Sequence, residues 1–363
     1  MSRQPIIALD RRTVMHGIGA LGLAGLSGCG GEDPVLSLAI WQDYLGETTL
    51  DDFRRESGIT VKVTAIASDE DLYARLQAGG HGFDLVVPSS MWVERLVRED
   101  RLAPLSPARL PNLKNLEAGF SDLPYDPGNA HSVPYTWTAL GIGYRKSKVP
   151  KPPAGWKQLL EASRIALPGD PGLLFRIAGK ALGFGANLFN PDRVRQAEAL
   201  LAATMPRVKA LHSDGGQDLL LNRDTDLIAC WNGDLVQAAL EDPDIAFAVP
   251  GEGALLSCDC LCIPKDTART GNAHRFIDFV LSAQGGAGIA GTLWYPTPNA
   301  AARALLPPDY RSNPVLFPPV RPAGTSEFIG DNPALDAQFA EAMKRIAPAP
   351  AATSSGSTAE TPP

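Results

Sequence analysis

Carboxylates and aromatic rings recur where apolar runs of the chain end. Ile40-Trp41-Gln42-Asp43-Tyr44 closes one such run, Ala229-Cys230-Trp231-Asn232-Gly233-Asp234 closes another, and Asp259 lies inside a third. Val87-Pro88-Ser89-Ser90, Pro134-Tyr135-Thr136-Trp137 and Trp294-Tyr295-Pro296-Thr297-Pro298-Asn299 add hydroxyls and further rings. An aromatic face attracts an organic cation by roughly 0.5–2 kcal/mol, and a carboxylate gives an ammonium group a charge-assisted hydrogen bond. An alkyl amine, with a pKa of about 10.4, arrives protonated. These residue types together suit the capture of an organic ammonium ion. Singly they mean less, because a Trp at a strand end is ordinary packing and a turn Asp is ordinarily a local backbone cap.

Other chemistries lack their residues. The five His stand at 16, 81, 131, 212 and 274, with no H-E-x-x-H and no i,i+4 pair, so no metal site is expected. There is no G-x-S-x-G elbow and no P-loop. Gly17, Gly19 and Gly22 spell G-x-G-x-x-G, but no strand precedes them, so the dinucleotide reading fails on context. No cofactor is expected. The 363 residues carry 33 Lys+Arg against 40 Asp+Glu, a formal charge of −7, which disfavours nucleic acid as a partner.

The elements that must hold these residues alternate in type. Strands are expected over Leu36–Trp41, Thr60–Ala65, Phe83–Val87, Ile165–Leu167, Thr225–Trp231, Ile245–Val249 and Leu255–Ile263. Helices are expected over Ser68–Gln77, Met91–Glu99, Leu173–Leu182, Pro191–Ala203, Leu235–Glu241, Ala273–Ser282 and Ala334–Ile346. Ser68 and Asp71 have capping-box spacing. The alternation predicts an α/β protein with mostly parallel sheets, and in such folds ligands lie at the carboxyl ends of the strands. Chain crossovers are expected near Tyr144–Trp156, Gly251–Leu256 and Leu305–Gly324, where composition shifts or prolines cluster.

Cys258, Cys260 and Cys262 alternate through SCDCLCIP, so in a strand they share one face while Asp259 and Leu261 take the other. Three thiols strung along one strand suit a metal poorly. They read as small apolar core residues, or else one of them forms a disulfide with Cys230 in an oxidising compartment.

The ends of the chain speak to location. A basic start containing Arg11-Arg12 leads into the Gly/Ala/Leu-rich stretch Thr13–Leu26, too short to span a bilayer and shaped like a signal peptide. Leu26-Ser27-Gly28-Cys29 resembles a bacterial lipobox, which implies cleavage after residue 28 and acylation of Cys29 as the membrane anchor. The twin arginines resemble a Tat signal, although Asp10 stands where Ser or Thr is usual. Residues 29–35 then form a linker, and residues 347–363, with four prolines and one charge, form a tail unable to bury a core.

Between those ends the chain resembles the polyamine-binding (spermidine/putrescine) periplasmic proteins of ABC transporters. The likeness is densest in ITVKV, LYARLQAG, FDLVVPSS, LPNLKNL, YDPGN, SVPYTW followed by TALGIGY, WNGD and YPTPNAAA. It implies the type II periplasmic-binding-protein fold, with two α/β lobes and a hinged ligand cleft. Lobe 1 is expected over 36–140 plus 257–303, and lobe 2 over 141–256 plus 304–346. It further implies an extracytoplasmic, monomeric, non-enzymatic protein that delivers a polyamine ligand to an ABC permease with its ATPase. The alternatives are an amine sensor without transport and an enzyme on the same scaffold.

Carried over position by position, the resemblance implies an aromatic wall of Trp41 and Tyr44 with Asp43 beside them and Ser89 as a polar contact. It further implies Asp170, Trp231, Asp234, Asp259 and Tyr295. Asp234 and Asp259 are the expected ammonium anchors, with Trp231 and Tyr295 on either side of the methylene chain. Four positions depart from the family pattern: Met91 stands in place of a Tyr, Leu173 of a Glu, Ser257 of an aromatic and Ile329 of a Gln.

Overall fold

The computed structural model describes residues 33–213, 216–319 and 325–346. The expected signal segment 1–28, the expected acylation site Cys29 and the expected tail 347–363 lie outside these residues. Ten strands are joined by helices: β1 Val35–Trp41, β2 Thr60–Ile66, β3 Leu85–Val86, β4 Ser132–Arg145, β5 Ile165–Pro168, β6 Val208–His212, β7 Leu227–Trp231, β8 Ile245–Ala248, β9 Leu255–Cys262 and β10 Glu327–Phe328. The path through the sheet runs β2-β1-β3-β9-β4-β7-β5-β6, with β8 paired to β4 and β10 to β9.

The expectation of mostly parallel sheets needs correction. β1 is parallel to β2 and β3, and β5 to β6 and β7, but β9 and β4 join these two sets through antiparallel pairings with β3, with β7 and with each other. Two parallel βα layers thus flank an antiparallel centre, and the fold is mixed α/β.

The 14-residue β4 has no counterpart among the expected strands. All but one of its residues are buried, so no alternation marks it, and Pro134, Gly141 and Gly143 read as breakers. The glycines are required by close packing: a Cβ at Gly141 would stand 2.4 Å from the Phe247 ring and one at Gly143 2.8 Å from Leu235. β4 and β9 also run between the hydrophobic cores. Val133 and Tyr135 pack with Leu36, Leu38 and Phe276, Trp137 and Ala139 with Leu72 and Leu96, and Leu140, Ile142 and Tyr144 with Trp156, Phe175 and Phe339. Leu255 belongs to the last of these clusters, Cys258 to the second and Leu261 to the first.

The seven expected helices form with small shifts at their ends. Ser68 caps the helix Asp69–Ala78 by accepting from the Asp71 N–H at 3.1 Å, while the Asp71 carboxylate turns outward to Arg75, so only half of the capping box is made. All four described cysteines are buried thiols outside any disulfide. Cys258, Cys260 and Cys262 share one core face and Leu261 takes the other. No disulfide joins Cys230 to them, because β4 lies between β7 and β9. That places the strands about 9–10 Å apart, beyond the reach of about 7 Å between bridged Cα atoms.

Candidate functional site

The carboxyl ends of β1, β3, β5 and β7 open on one cleft of about 910 Å³. Of the nine residues singled out from sequence, Trp41, Tyr44, Ser89, Asp170, Trp231, Asp234, Asp259 and Tyr295 line it. Asp43 does not: it sits exposed in a left-handed turn at φ 52°, accepting from the Gln42 amide at 2.9 Å.

Asp259 is held at the middle of β9. The register of β4 against β9 slips between Pro134 and Thr136, a bulge that sets Thr136 opposite Asp259. The Thr136 hydroxyl donates to Asp259 Oδ2 at 3.2 Å and the Tyr44 phenol donates to the same oxygen at 2.6 Å. Tyr135, at the bulge, donates to the Tyr44 carbonyl at 2.6 Å and packs against its ring at 5.6 Å, fixing Tyr44 in place. Burial pushes the Asp259 carboxyl up to about 6, against the pull of its two hydroxyl donors.

Asp234 is placed by the WNGD turn. Trp231 ends β7 and faces the cleft. Asn232, fully buried, accepts from the Ala139 N–H at 2.9 Å and donates to the Val315 carbonyl at 2.9 Å, tying the start of the helix Asn232–Glu241 to β4. Gly233 leaves room for Tyr295, whose ring would lie 2.7 Å from a Cβ there. Asp234, in the first helical turn, accepts from the Tyr295 phenol at 2.5 Å. Burial first, and then the nearby Asp234 charge, raises the Tyr295 pKa; burial and Asp259 do the same for Tyr44. Both phenols therefore stay protonated and donate. Their rings meet edge to face at 5.7 Å.

Asp170 caps the helix Pro171–Ala181, its Oδ1 accepting from the Leu173 N–H at 2.7 Å. It is at once a turn cap and a cleft residue.

The structure adds residues that were not singled out. Asp69, at the start of its helix, accepts from the Ser89 N–H at 3.0 Å, and Ser89 bridges to Asp259 in the sheet. Burial, with Asp259 contributing, pushes Asp69 up to about 7 despite the Ser89 hydrogen bonds. The signal for it was available, since SDED follows β2 at a strand end. Arg95 and Arg176 also line the cleft and had no such signal, being ordinary basic residues within amphipathic helices. Met91, Leu173, Ser257 and Ile329, the four departures, all face it too. Six carboxylates and two guanidinium groups thus line one aromatic-walled cleft, an arrangement that attracts cations.

Comparison with known proteins agrees with this geometry. The profile of the bacterial extracellular solute-binding proteins matches residues 48–318. The spermidine/putrescine-binding periplasmic protein of Salmonella typhimurium is 30% identical over 334 residues, spanning 90% of this chain and 96% of that one. The solved spermidine/putrescine ABC transporter substrate-binding protein of Streptococcus pneumoniae superposes with a TM-score of 0.79 at 25% identity, over 86% of this chain and 98% of that one. A lipoprotein of Treponema pallidum superposes at 0.76, also with 25% identity, over 86% of this chain and 99% of its own.

Proposed function

This chain belongs to the bacterial extracellular solute-binding proteins, and from that premise we propose that its cleft captures polyamine-type organic cations in the periplasm and delivers them to an ABC permease and its ATPase. The observation that carries the ligand class is the pair Asp234 and Asp259, each oriented by its own tyrosine inside a cleft walled by Trp41, Trp231 and Tyr295. Each carboxylate anchors an ammonium group, Ser89 and Asp69 border the same pocket, and Trp231 and Tyr295 hold the methylene chain between charges. Asp170 stands at the rim, and Asp43 plays no direct part.

The lobes are 36–140 plus 257–303 and 141–256 plus 304–346. Two of their three boundaries fall within β4 and β9, the strands that run between the cores, and these two strands form the hinge on which the cleft closes; the third falls in the helix Ala300–Leu305. The chain acts as a monomeric binding component with no catalytic step of its own. Residues 1–28 direct export, and acylated Cys29 tethers the protein to the membrane; the lipobox supports this, as does the likeness to a treponemal lipoprotein.

Isothermal titration with putrescine, cadaverine, spermidine, spermine and agmatine tests the ligand class. Binding of at least one at micromolar or better affinity is expected, and a ligand at about 100 times its Kd adds about 2.7 kcal/mol to stability. Absence of heat and of any Tm shift with all five would refute it.

A further inference from the structure

The charges of the cleft are unevenly distributed. Asp69 and Asp259 have only hydroxyl and amide donors as hydrogen-bond partners among the described residues, and Asp234 accepts from a phenol. No ion pair neutralises Asp69 or Asp259 among the described residues. These three carboxylates form the anionic side of the cleft.

Another stretch of the cleft wall is built differently. The helix Ser90–Arg98 presents Met91, Glu94, Arg95 and Arg98, spaced i, i+3, i+4 and i+7 and hence on one stripe, to the segment that precedes the helix Pro333–Ile346. Arg95 donates from Nε and Nη2 to Asp331 Oδ1 at 2.9 and 2.6 Å, Arg98 pairs with the other oxygen, and Glu94 accepts the Asp331 N–H at 2.9 Å. Arg176, buried in its helix, gives both terminal nitrogens to Asp336 Oδ1 at 3.2 Å. Arg95, Arg176 and Asp336 all reach the cleft, among the apolar surfaces of Met91, Leu173, Ile329 and Pro333. The carboxylates of Asp331 and Asp336 are thus already matched by guanidinium groups, and Asp170, exposed and with Oδ1 in its helix cap, has no ion pair among the described residues.

Resting on the amine reading above, we propose that this arginine-bearing wall sets the specificity of the cleft. It confines the positive charges of a ligand to the Asp69, Asp234 and Asp259 side and accepts only an uncharged apolar extension. The chain then selects compact diamines over triamines and tetraamines. A further ammonium reaching that wall loses its water beside two guanidinium groups, where Asp331 and Asp336 are already paired and only the exposed, helix-capping Asp170 is not, a repulsive element of the kind that creates specificity. A methylene or methyl group in the same place meets apolar surface instead.

N-Butylputrescine tests this directly, because it is spermidine with the terminal ammonium replaced by a methyl group. Calorimetric titration of the purified protein is expected to rank putrescine and N-butylputrescine at least about tenfold tighter than spermidine. Arg95→Gln removes one guanidinium from the wall while Asp331 keeps Arg98, and Arg176→Met, made separately, releases the Asp336 carboxylate; each should shift the affinity ratio of spermidine to N-butylputrescine about tenfold or more toward spermidine. The ratio is internal to each variant, so a general loss of binding does not mimic it, and the half-buried Arg95 serves if the buried Arg176 variant fails to fold. Spermidine binding as tightly as N-butylputrescine, or ratios unmoved in the folded variants, overturns the assignment while leaving the amine reading intact. No binding of any of the amines overturns both.

Discussion

The rings of Tyr44 and Tyr295 meet edge to face, with centroids 5.7 Å apart and planes at 81°, and their phenols donate to different carboxylates, Asp259 and Asp234. Tyr44 follows β1, Tyr295 follows the helix Ala283–Leu293, Asp259 sits in β9 and Asp234 opens the helix Asn232–Glu241. Four distant segments therefore fix the position of two negative charges through one aromatic contact.

Replacing either carboxylate by an amide keeps its shape and removes its charge. Asp234→Asn and Asp259→Asn should each weaken amine binding by about 10- to 150-fold, the worth of a charge-assisted hydrogen bond. Titration calorimetry on the two folded variants reads this, and affinities equal to that of the parent would remove these residues from the site.

Binding should also release protons. With Asp69 pushed up to about 7 and Asp259 to about 6, both carboxyls are partly protonated in the empty cleft near neutrality. An arriving ammonium favours the ionised forms, so affinity rises with pH between about 5 and 8 and protons leave as the ligand enters. Titrations near pH 6.5 in buffers of different ionisation enthalpy should give different apparent heats. Identical heats together with a flat pH profile would contradict the reading.

The same burial carries a stability cost. A carboxyl whose pKa is higher folded than unfolded binds more protons in the native state, so its presence lowers stability progressively as pH rises from about 4 through 7. Asp69→Asn removes that penalty while its side-chain oxygen still accepts from the Ser89 N–H. The ligand-free variant should be more stable than the parent at pH 8 by more than about 1 kcal/mol, with the gain shrinking toward pH 4. Denaturant melts at the two pH values measure it.

Gly233→Ala puts a methyl group 2.7 Å from the Tyr295 ring. The ring must then move away from Asp234, and the overpacking should cost about 1–3 kcal/mol of stability together with an affinity loss of about tenfold or more. A parent-like Tm and Kd would mean that the turn accommodates the methyl by another route.

Cys230, Cys260 and Cys262 are buried thiols whose pKa values burial raises, and Cys258 is buried beside them. None should react with a thiol reagent in the native protein, whereas all four should react once it is unfolded in denaturant. A reductant should leave the Tm unchanged.

Much of this was legible in the sequence because the signals are local. Strand ends finishing in Trp41 and Trp231, and the WNGD turn, sit where an apolar run meets a helix start, and the cleft forms there. Asp259 was legible as a lone carboxylate in an apolar strand. The failures have physical causes. β4 is buried along nearly its whole length and carries Pro and Gly, so it shows neither alternation nor strand composition. Asp43 follows Trp41 closely enough to suggest a shared role, but its left-handed backbone points it to solvent. Asp69, Arg95 and Arg176 take their significance from partners 20 to 236 residues away, a separation that no window of sequence spans.

The position of β9 between β3 and β4 has a further consequence for how the protein is made. The strands that begin the chain and those that follow Ser132 have no direct hydrogen-bonded seam between them until Leu255–Cys262 inserts. A nascent chain that has emerged only as far as the helix Asn232–Glu241 holds two unjoined sheet fragments and only part of its amine cleft. Completion waits for a strand made after roughly two-thirds of synthesis, and such late-closing, long-range pairing is slow. The topology itself thus delays the native state, and a polypeptide bound for export stays unfolded longer for having its keystone strand in the last third of its sequence.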